Sequence, residues 1–160
     1  MSTGEARPEV DLSALPSIVE MLPHRPPMVL IDAVTAFDFD TITCTRRIRA
    51  DEPYVDDGKV PAAVAIEYIA QTVATQRGLD GLLRGLPVSR GVLAACRSLD
   101  LHVADFAVGD ELTIRAENLG QMAHIASFRG IVERGGEVVA EGIIQVAEIQ
   151  GDLGPGEPPG

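Results

Sequence analysis

One carboxylate stands out among apolar neighbours. Residues 61–78, PAAVAIEYIAQTVATQRG, carry a single acidic side chain, Glu67, among alanines, valines and isoleucines. Glutamate is rarely fully buried unless it is paired. Apolar surroundings should raise its pKa, leaving a carboxyl that keeps its proton and could donate it. Three histidines, His24, His102 and His124, are the other candidates for proton transfer. They are scattered without the paired spacing of a metal set, so no metal site is expected. His24 lies in LPHRPP, residues 22–27, where Pro23, Pro26 and Pro27 exclude helix and central strand and force a fixed, extended path. His102 and His124 fall in strand-like stretches and read as ordinary sheet residues. Cys44 and Cys96 lack CxxC or other ligand spacing and read as reduced structural thiols, as in a cytoplasmic protein.

The element that must hold Glu67 is a long helix over residues 61–78. Pro61 suits a first helical turn, because its missing N–H would have had no partner there, and Gly78 is a plausible stop. Ala63, Ile66, Ala70, Val73 and Ala74 recur at helical spacing, and Ala62, Val64, Ala65 and Ile69 cover much of the remaining surface. A helix apolar on nearly every side belongs in the middle of a protein.

Around it the chain reads mostly as strand. Residues 28–34 read as a buried strand, and 41–49 carry the Thr, Ile and Cys content of a half-buried strand. Further strands are expected over 91–102, 111–118, 124–133 and 137–149, with turn signals at 37–40, 56–58, 109–110 and 134–136. A short helix over 14–21 could be capped by Asp11 or Ser13 and broken or begun by Pro16. A linker over 79–89 joins the long helix to the later strands. Residues 1–12 read as a flexible N-terminal tail, 13–150 as one domain and the Gly/Pro-rich 151–160 as a disordered C-terminal tail. The order strand, strand, long helix, four strands predicts an α+β protein in which an antiparallel sheet curls around one helix, the hot-dog fold. Such a sheet leaves an edge strand that pairing in a dimer would cover.

The first residues have no apolar core after a basic start, so no signal peptide is expected, and no run of about 18 apolar residues offers a membrane span. A net charge of -11 argues against nucleic acid as the main partner.

Three stretches carry a family resemblance. LPHRPPMVLID, residues 22–32, resembles the LPHRxPxLLVD opening of bacterial hydroxyacyl-ACP dehydratases of the hot-dog superfamily. DEPYV, residues 51–55, resembles their NEPFF stretch, and PAAVAIE, residues 61–67, aligns with PGVLIIE without a gap and continues through Ala70 and Gln71. The matches occur in the family's order and cover about residues 15–75; they are nearest to the dehydratase-like branch encoded with aryl-polyene-type pathways. The resemblance implies a hot-dog dimer and loss of water from a 3-hydroxyacyl thioester on acyl carrier protein, with no cofactor beyond the carrier's phosphopantetheine. That elimination needs a base, an acid for the departing oxygen and donors on the thioester carbonyl. The resemblance implies Glu67 as the acid and the N–H groups of Ala62 and Ala63, at the helix start, as the donors, although Ala62 replaces the family's glycine.

The sequence departs from the family where the base should be. The family's histidine lies in an HFPxxP loop before the helix; residues 56–61 here, DDGKVP, are shorter and contain no histidine. His24 is the substitute base, unless it only hydrogen-bonds backbone to hold its segment. Glu67 has its own bland alternative, a helix-end carboxylate paired with Arg25 or a backbone amide, and Arg25 could equally serve Asp32. Tyr68 and Gln71 could line the substrate face beside Glu67 or simply pack.

Acyl carrier proteins are acidic, so docking one would need a local positive patch. Arg77, Arg84, Arg90 and Arg97, offset by Asp80, are one candidate, and Arg46, Arg47 and Arg49 another. Three readings stay open: a dehydratase, a thioesterase in which Glu67 activates water, and a non-catalytic or half-site subunit pairing with a related hot-dog protein. A homodimer and a heterodimer are both compatible with the sequence.

Overall fold

Period-two burial writes most of this protein. The computed structural model describes residues 10–86 and 90–149. Strand β2 (Thr41–Arg47) alternates strictly, sending Ile42, Cys44 and Arg46 inward, and β6 (Glu111–Met122) sends Leu112, Ile114 and Ala116 to the same side. In β7 (Ile125–Arg134) and β8 (Glu137–Ile149), Ala126, Phe128, Val132, Ala140, Ile144 and Val146 continue that face. With β1 (Ala33–Phe37) and β4 (Arg90–Leu101) they form a six-stranded sheet in the order β1-β2-β6-β7-β8-β4. Every pairing in it is antiparallel. The β7–β8 hairpin turns on Gly135 and Gly136, at φ 60° and 81°, the left-handed pair that a two-residue hairpin requires.

Helix α2 (Ala65–Leu83) lies against this sheet, so the α+β hot-dog architecture expected from the sequence is the one found. A 3-10 turn, Ala62–Val64, leads into it. The turn is anchored by a two-stranded ribbon, β3 (Lys59–Pro61) with β5 (Asp105–Ala107), whose central pair Val60 and Phe106 is fully buried. The sheet passes close to the helix at Gly130, where any Cβ would collide with the buried Ile69 side chain.

The helix is less apolar than its pattern promised. Its buried residues include Gln71, Thr72, Thr75 and Gln76. The threonine hydroxyls donate to the carbonyls of Tyr68 and Gln71, both at 2.8 Å, so neither is left without a partner. Gln76 Nε2 donates to the Phe39 carbonyl at 2.8 Å.

Several boundaries differ from expectation: Pro61 closes β3 and caps the 3-10 turn, so α2 starts later than expected, β2 stops at Arg47, and β6 runs on to Met122. Gly78 does not end the helix, which runs on to Leu83; a Cβ at this position would strike the Met21 carbonyl, so the glycine serves close packing of α1 (Ile18–Met21) on α2. The short N-terminal helix is split at Pro16 into a 3-10 turn, Leu12–Ala14, capped by Asp11, and α1, which carries a Ser17–Glu20 capping box. The apolar run at 28–34 is buried at Leu30 and Ile31, as its composition demands, but it is not a strand before Ala33. Two of its backbone groups, the Leu30 N–H and the Met28 carbonyl, are bonded to a side chain, as described below. Residues 1–9 of the expected N-terminal tail, 87–89 of the linker and the whole expected C-terminal tail lie outside the described residues.

Candidate active site

Two segments meet at Glu67. It sits in the first turn of α2, where the helix dipole favours a negative charge. The second segment is the proline-framed stretch after α1. There Arg25 Nη1 donates to the carbonyls of Leu22 at 3.0 Å, His24 at 2.9 Å and Val19 at 3.3 Å. Arg25 therefore serves the end of α1 and the His24 backbone; it pairs with neither Asp32 nor Glu67, the partners considered for it. The Pro26–Pro27 peptide is cis, and the Met28 N–H returns to the Arg25 carbonyl at 2.9 Å. A segment held this way presents His24 with little conformational freedom left to lose.

The His24 imidazole reaches Glu67: Nε2 lies 3.9 Å from Oε1, and the two side chains are 31% and 32% exposed. Glu67 is thus half-buried at an opening, not enclosed as its neighbours in sequence suggested. The other ring nitrogen, His24 Nδ1, is buried and has no hydrogen-bond partner among the described residues.

Gln71 joins the two segments. It is fully buried one helical turn beyond Glu67. Its Oε1 accepts from the Leu30 N–H and its Nε2 donates to the Met28 carbonyl, both at 2.7 Å. The second Nε2 hydrogen is directed to Glu67 Oε1 at 3.4 Å. Both amide atoms are committed to backbone groups, which fixes which end faces Glu67. Gln71, read from sequence as substrate-lining or packing, is a latch between α2 and the His24 segment. A lone amide one turn from Glu67 in an apolar helix was the available signal.

The remaining site candidates divide. The Ala62 N–H donates to the Ala104 carbonyl at 3.0 Å, adding one rung to the β3–β5 ribbon, so it is not open to a ligand as expected. Ala63 is exposed at the helix start. Tyr68 points away from the opening into the core, 1% exposed, with its ring centroid 6.2 Å from that of Phe106. Burial pushes its phenol well above the usual range. It is a packing residue, because its helical position turns it about 100° from Glu67.

The loop that lacks the family histidine is a tight turn. Asp56 and Lys59 exchange both backbone hydrogen bonds, at 2.9 and 3.0 Å, around Asp57 and Gly58 at φ 51° and 73°. Among the described residues no second histidine contacts Glu67. His102 Nε2 lies 3.8 Å from Glu141 Oε1, and exposed His124 sits in the β6–β7 turn and not in a strand.

The arginine patches are largely engaged. Arg46 is buried in ion pairs with Asp32 at 3.1 Å and with Glu52, and Arg49 binds Asp32 at 2.9 Å. Arg46 is thereby removed from a docking surface, whereas Arg47 and Arg49 stay exposed. Burial alone would raise the Asp32 carboxyl; the hydrogen bonds from Arg49 and the Arg47 N–H, with the charges of Arg46 and Arg49, outweigh it and hold the group below the usual carboxylate range. Arg77 pairs with Glu148 at 2.9 Å over the Phe128 ring, and Arg84 with Asp80 at 2.6 Å over the Phe39 ring. Arg97 is exposed, and the Arg90 side chain lies outside the described ones.

Within the described sheet β4 pairs only with β8, and Val92, Leu93 and Leu101 along it are exposed. The described helices include none long and apolar enough to cross a membrane.

The family model described as ApeP-like, ApeP dehydratase, matches residues 16–154. The 3-hydroxyacyl-acyl-carrier-protein dehydratase FabZ of Streptococcus pneumoniae is 28% identical over 137 residues, covering 81% of this chain and 94% of the relative. The dehydratase heterocomplex ApeI:P from Xenorhabdus doucetiae superposes with a TM-score of 0.80 at 27% identity, over 85% of this chain and 93% of that one. A hypothetical thioesterase from Streptococcus pneumoniae, solved with coenzyme A, shares the fold alone, with a TM-score of 0.58 at 13% identity over 72% of this chain and 84% of that one.

Proposed function

The chain belongs to the ApeP-like dehydratase family, and on that premise we propose that it eliminates water from a 3-hydroxyacyl thioester on acyl carrier protein, giving the 2-enoyl thioester. The observation that carries this reading is the meeting of Glu67 and His24, 3.9 Å apart, at the start of α2. Elimination has to remove a weakly acidic α proton and protonate a poor leaving group, and a carboxyl beside an imidazole can move both protons. The N–H of Ala63, a residue exposed at the helix start, adds a donor for the thioester oxygen, strengthened by the positive end of the helix. The Ala62 N–H has no part in this, being bonded to Ala104.

The substrate arrives on the carrier's phosphopantetheine and no further cofactor is needed. The protein works in the cytoplasm as one half of a hot-dog dimer, its partner a second copy or a related hot-dog subunit that covers β4. The heterocomplex of the similar Xenorhabdus dehydratase supports the second arrangement. So does the tight 56–59 turn, which replaces the loop that would carry the family's histidine.

The test is to incubate the full chain, alone and with a related hot-dog subunit, with a 3-hydroxyacyl-ACP, following enoyl formation and free thiol separately. Enoyl product that disappears in Glu67→Gln is the expected result. Thiol release without enoyl product would replace this reading with hydrolysis.

A further inference from the structure

We propose that Arg25 is the positioning residue of this site, its guanidinium fixing the main chain of His24 so that the imidazole stays beside Glu67. This rests on the dehydratase reading and adds to it a residue that acts through another side chain.

The composition of the segment calls for such a residue. Pro23, Pro26 and Pro27 all fall between Leu22 and Met28. Each keeps a carbonyl and lacks an N–H, so the stretch is rich in acceptors and poor in donors, and a backbone ladder cannot hold it. Arginine is the complement: several N–H donors in a planar fork, no acceptor, and a charge that proteins do not titrate away.

Arg25 Nη1 donates to the carbonyls of His24 at 2.9 Å, Leu22 at 3.0 Å and Val19 at 3.3 Å. One NH2 group has two hydrogens, so at least one of them is shared between carbonyls. Val19 lies in α1 and Leu22 is its C-terminal cap, where the last helix carbonyls have no intrahelical partner and a cation is favourable. The guanidinium therefore ties the His24 peptide to the end of α1. That end is itself fixed on α2, with the Met21 carbonyl packed against Gly78. On the other side the Arg25 carbonyl accepts from the Met28 N–H at 2.9 Å, and the Met28 carbonyl is bonded to Gln71 of α2. His24 is thus held between two points of the helix that carries Glu67, and Arg25 takes part in both connections. The imidazole reaches Glu67 at 3.9 Å from this support. A displacement of about 1 Å at a reacting group can cost about a hundredfold in rate, so a slack main chain at His24 is felt in turnover more than in substrate binding.

Two measurements test this. Arg25→Met keeps an aliphatic stem and removes every donor. In the full chain, with a related hot-dog subunit present where enoyl formation requires one, kcat should fall about ten- to a hundredfold while KM stays within about twofold. Arg25→Lys keeps the charge without the fork and should fall between Arg25→Met and the wild type. In a His24→Ala background Arg25→Met should cost no more than about twofold further, because the side chain it positions is gone. Equal losses in both backgrounds, a raised KM with kcat intact, or full activity in Arg25→Met overturns the proposal; the same cycle run with Arg25→Lys decides it if Arg25→Met does not fold. The second measurement needs no turnover. The ring-proton NMR signals of His24 should move on Glu67→Gln in the otherwise native chain and lose that response when Arg25→Met is also present. An equal response in both overturns the proposal. A wild-type protein that makes no enoyl product defeats the dehydratase reading instead, and the ring signals still report whether Arg25 holds His24 beside Glu67.

Discussion

Gln71 donates to Glu67 across one helical turn, at 3.4 Å, while the same amide holds the backbone of Met28 and Leu30. The carboxylate and the histidine segment are therefore coupled through one buried side chain. Gln71→Ala removes two short hydrogen bonds and strands a buried N–H and a buried carbonyl. It should cost about 2–4 kcal/mol of stability and lower enoyl formation because His24 is no longer held. A urea melt should show a lower midpoint with an unchanged slope. A variant as stable as the wild type would mean that the latch does not carry load.

Gly78 and Gly130 are packing glycines, and they should respond to a methyl in different ways. Helix propensity alone would reward Gly78→Ala by about 1 kcal/mol. The added Cβ would instead meet the Met21 carbonyl, a backbone atom that cannot rotate aside, and overpacking of this kind costs about 1–3 kcal/mol. Net destabilisation is expected, read as a fall in Tm. Gly130→Ala meets the γ and δ carbons of the Ile69 side chain, so pairing it with Ile69→Ala, which removes all of them, should cost less than the sum of the two single changes. A stabilised Gly78→Ala would show that α1 does not press on α2.

The acid limb of the stability curve should depend on Asp32. Its folded pKa is lowered, so its contribution is fully present above the unfolded value of about 3.9 and is lost as pH falls through the folded value. Asp32→Asn also deprives buried Arg46 of one of its two carboxylates, at about 1–3 kcal/mol near neutrality. The gap between wild type and variant should narrow as urea melts are taken from pH 6 down through about pH 4 and below. A gap that stays constant over that range would dissociate Asp32 from the arginine cluster.

The two thiols should separate kinetically. Cys44 faces inward from β2, and burial pushes its thiol up to about 12 against a smaller opposing pull from Thr72. Cys96 is exposed on β4. A disulfide-exchange reagent should label Cys96 in the native protein and Cys44 only on unfolding, because the thiolate is the reacting species. Equal rates for both in the folded state would contradict this placement.

How far the sequence alone reached is clearest at particular residues. Alternation in β2, β6, β7 and β8 and the compact run of small and aliphatic residues around Glu67 determined the antiparallel sheet and its long helix. Those are periodic or local properties, set by one residue's relation to its near neighbours. The decisions left to tertiary structure concern groups distant in the chain. Residues 28–31 are apolar enough for a strand, yet the Leu30 N–H and the Met28 carbonyl bond to the side chain of Gln71, 41 and 43 positions away. Gly78 reads locally as a helix stop and is needed instead against Met21. Ala62 and Ala63 are alike in sequence, and only the arrival of Ala104 takes the Ala62 N–H and buries that residue while Ala63 stays exposed. Glu67 was visible from its apolar neighbours; that it faces His24 and is steadied by Gln71 follows from three segments meeting in space, because hydrogen-bond partners are chosen by distance and direction and not by position along the chain.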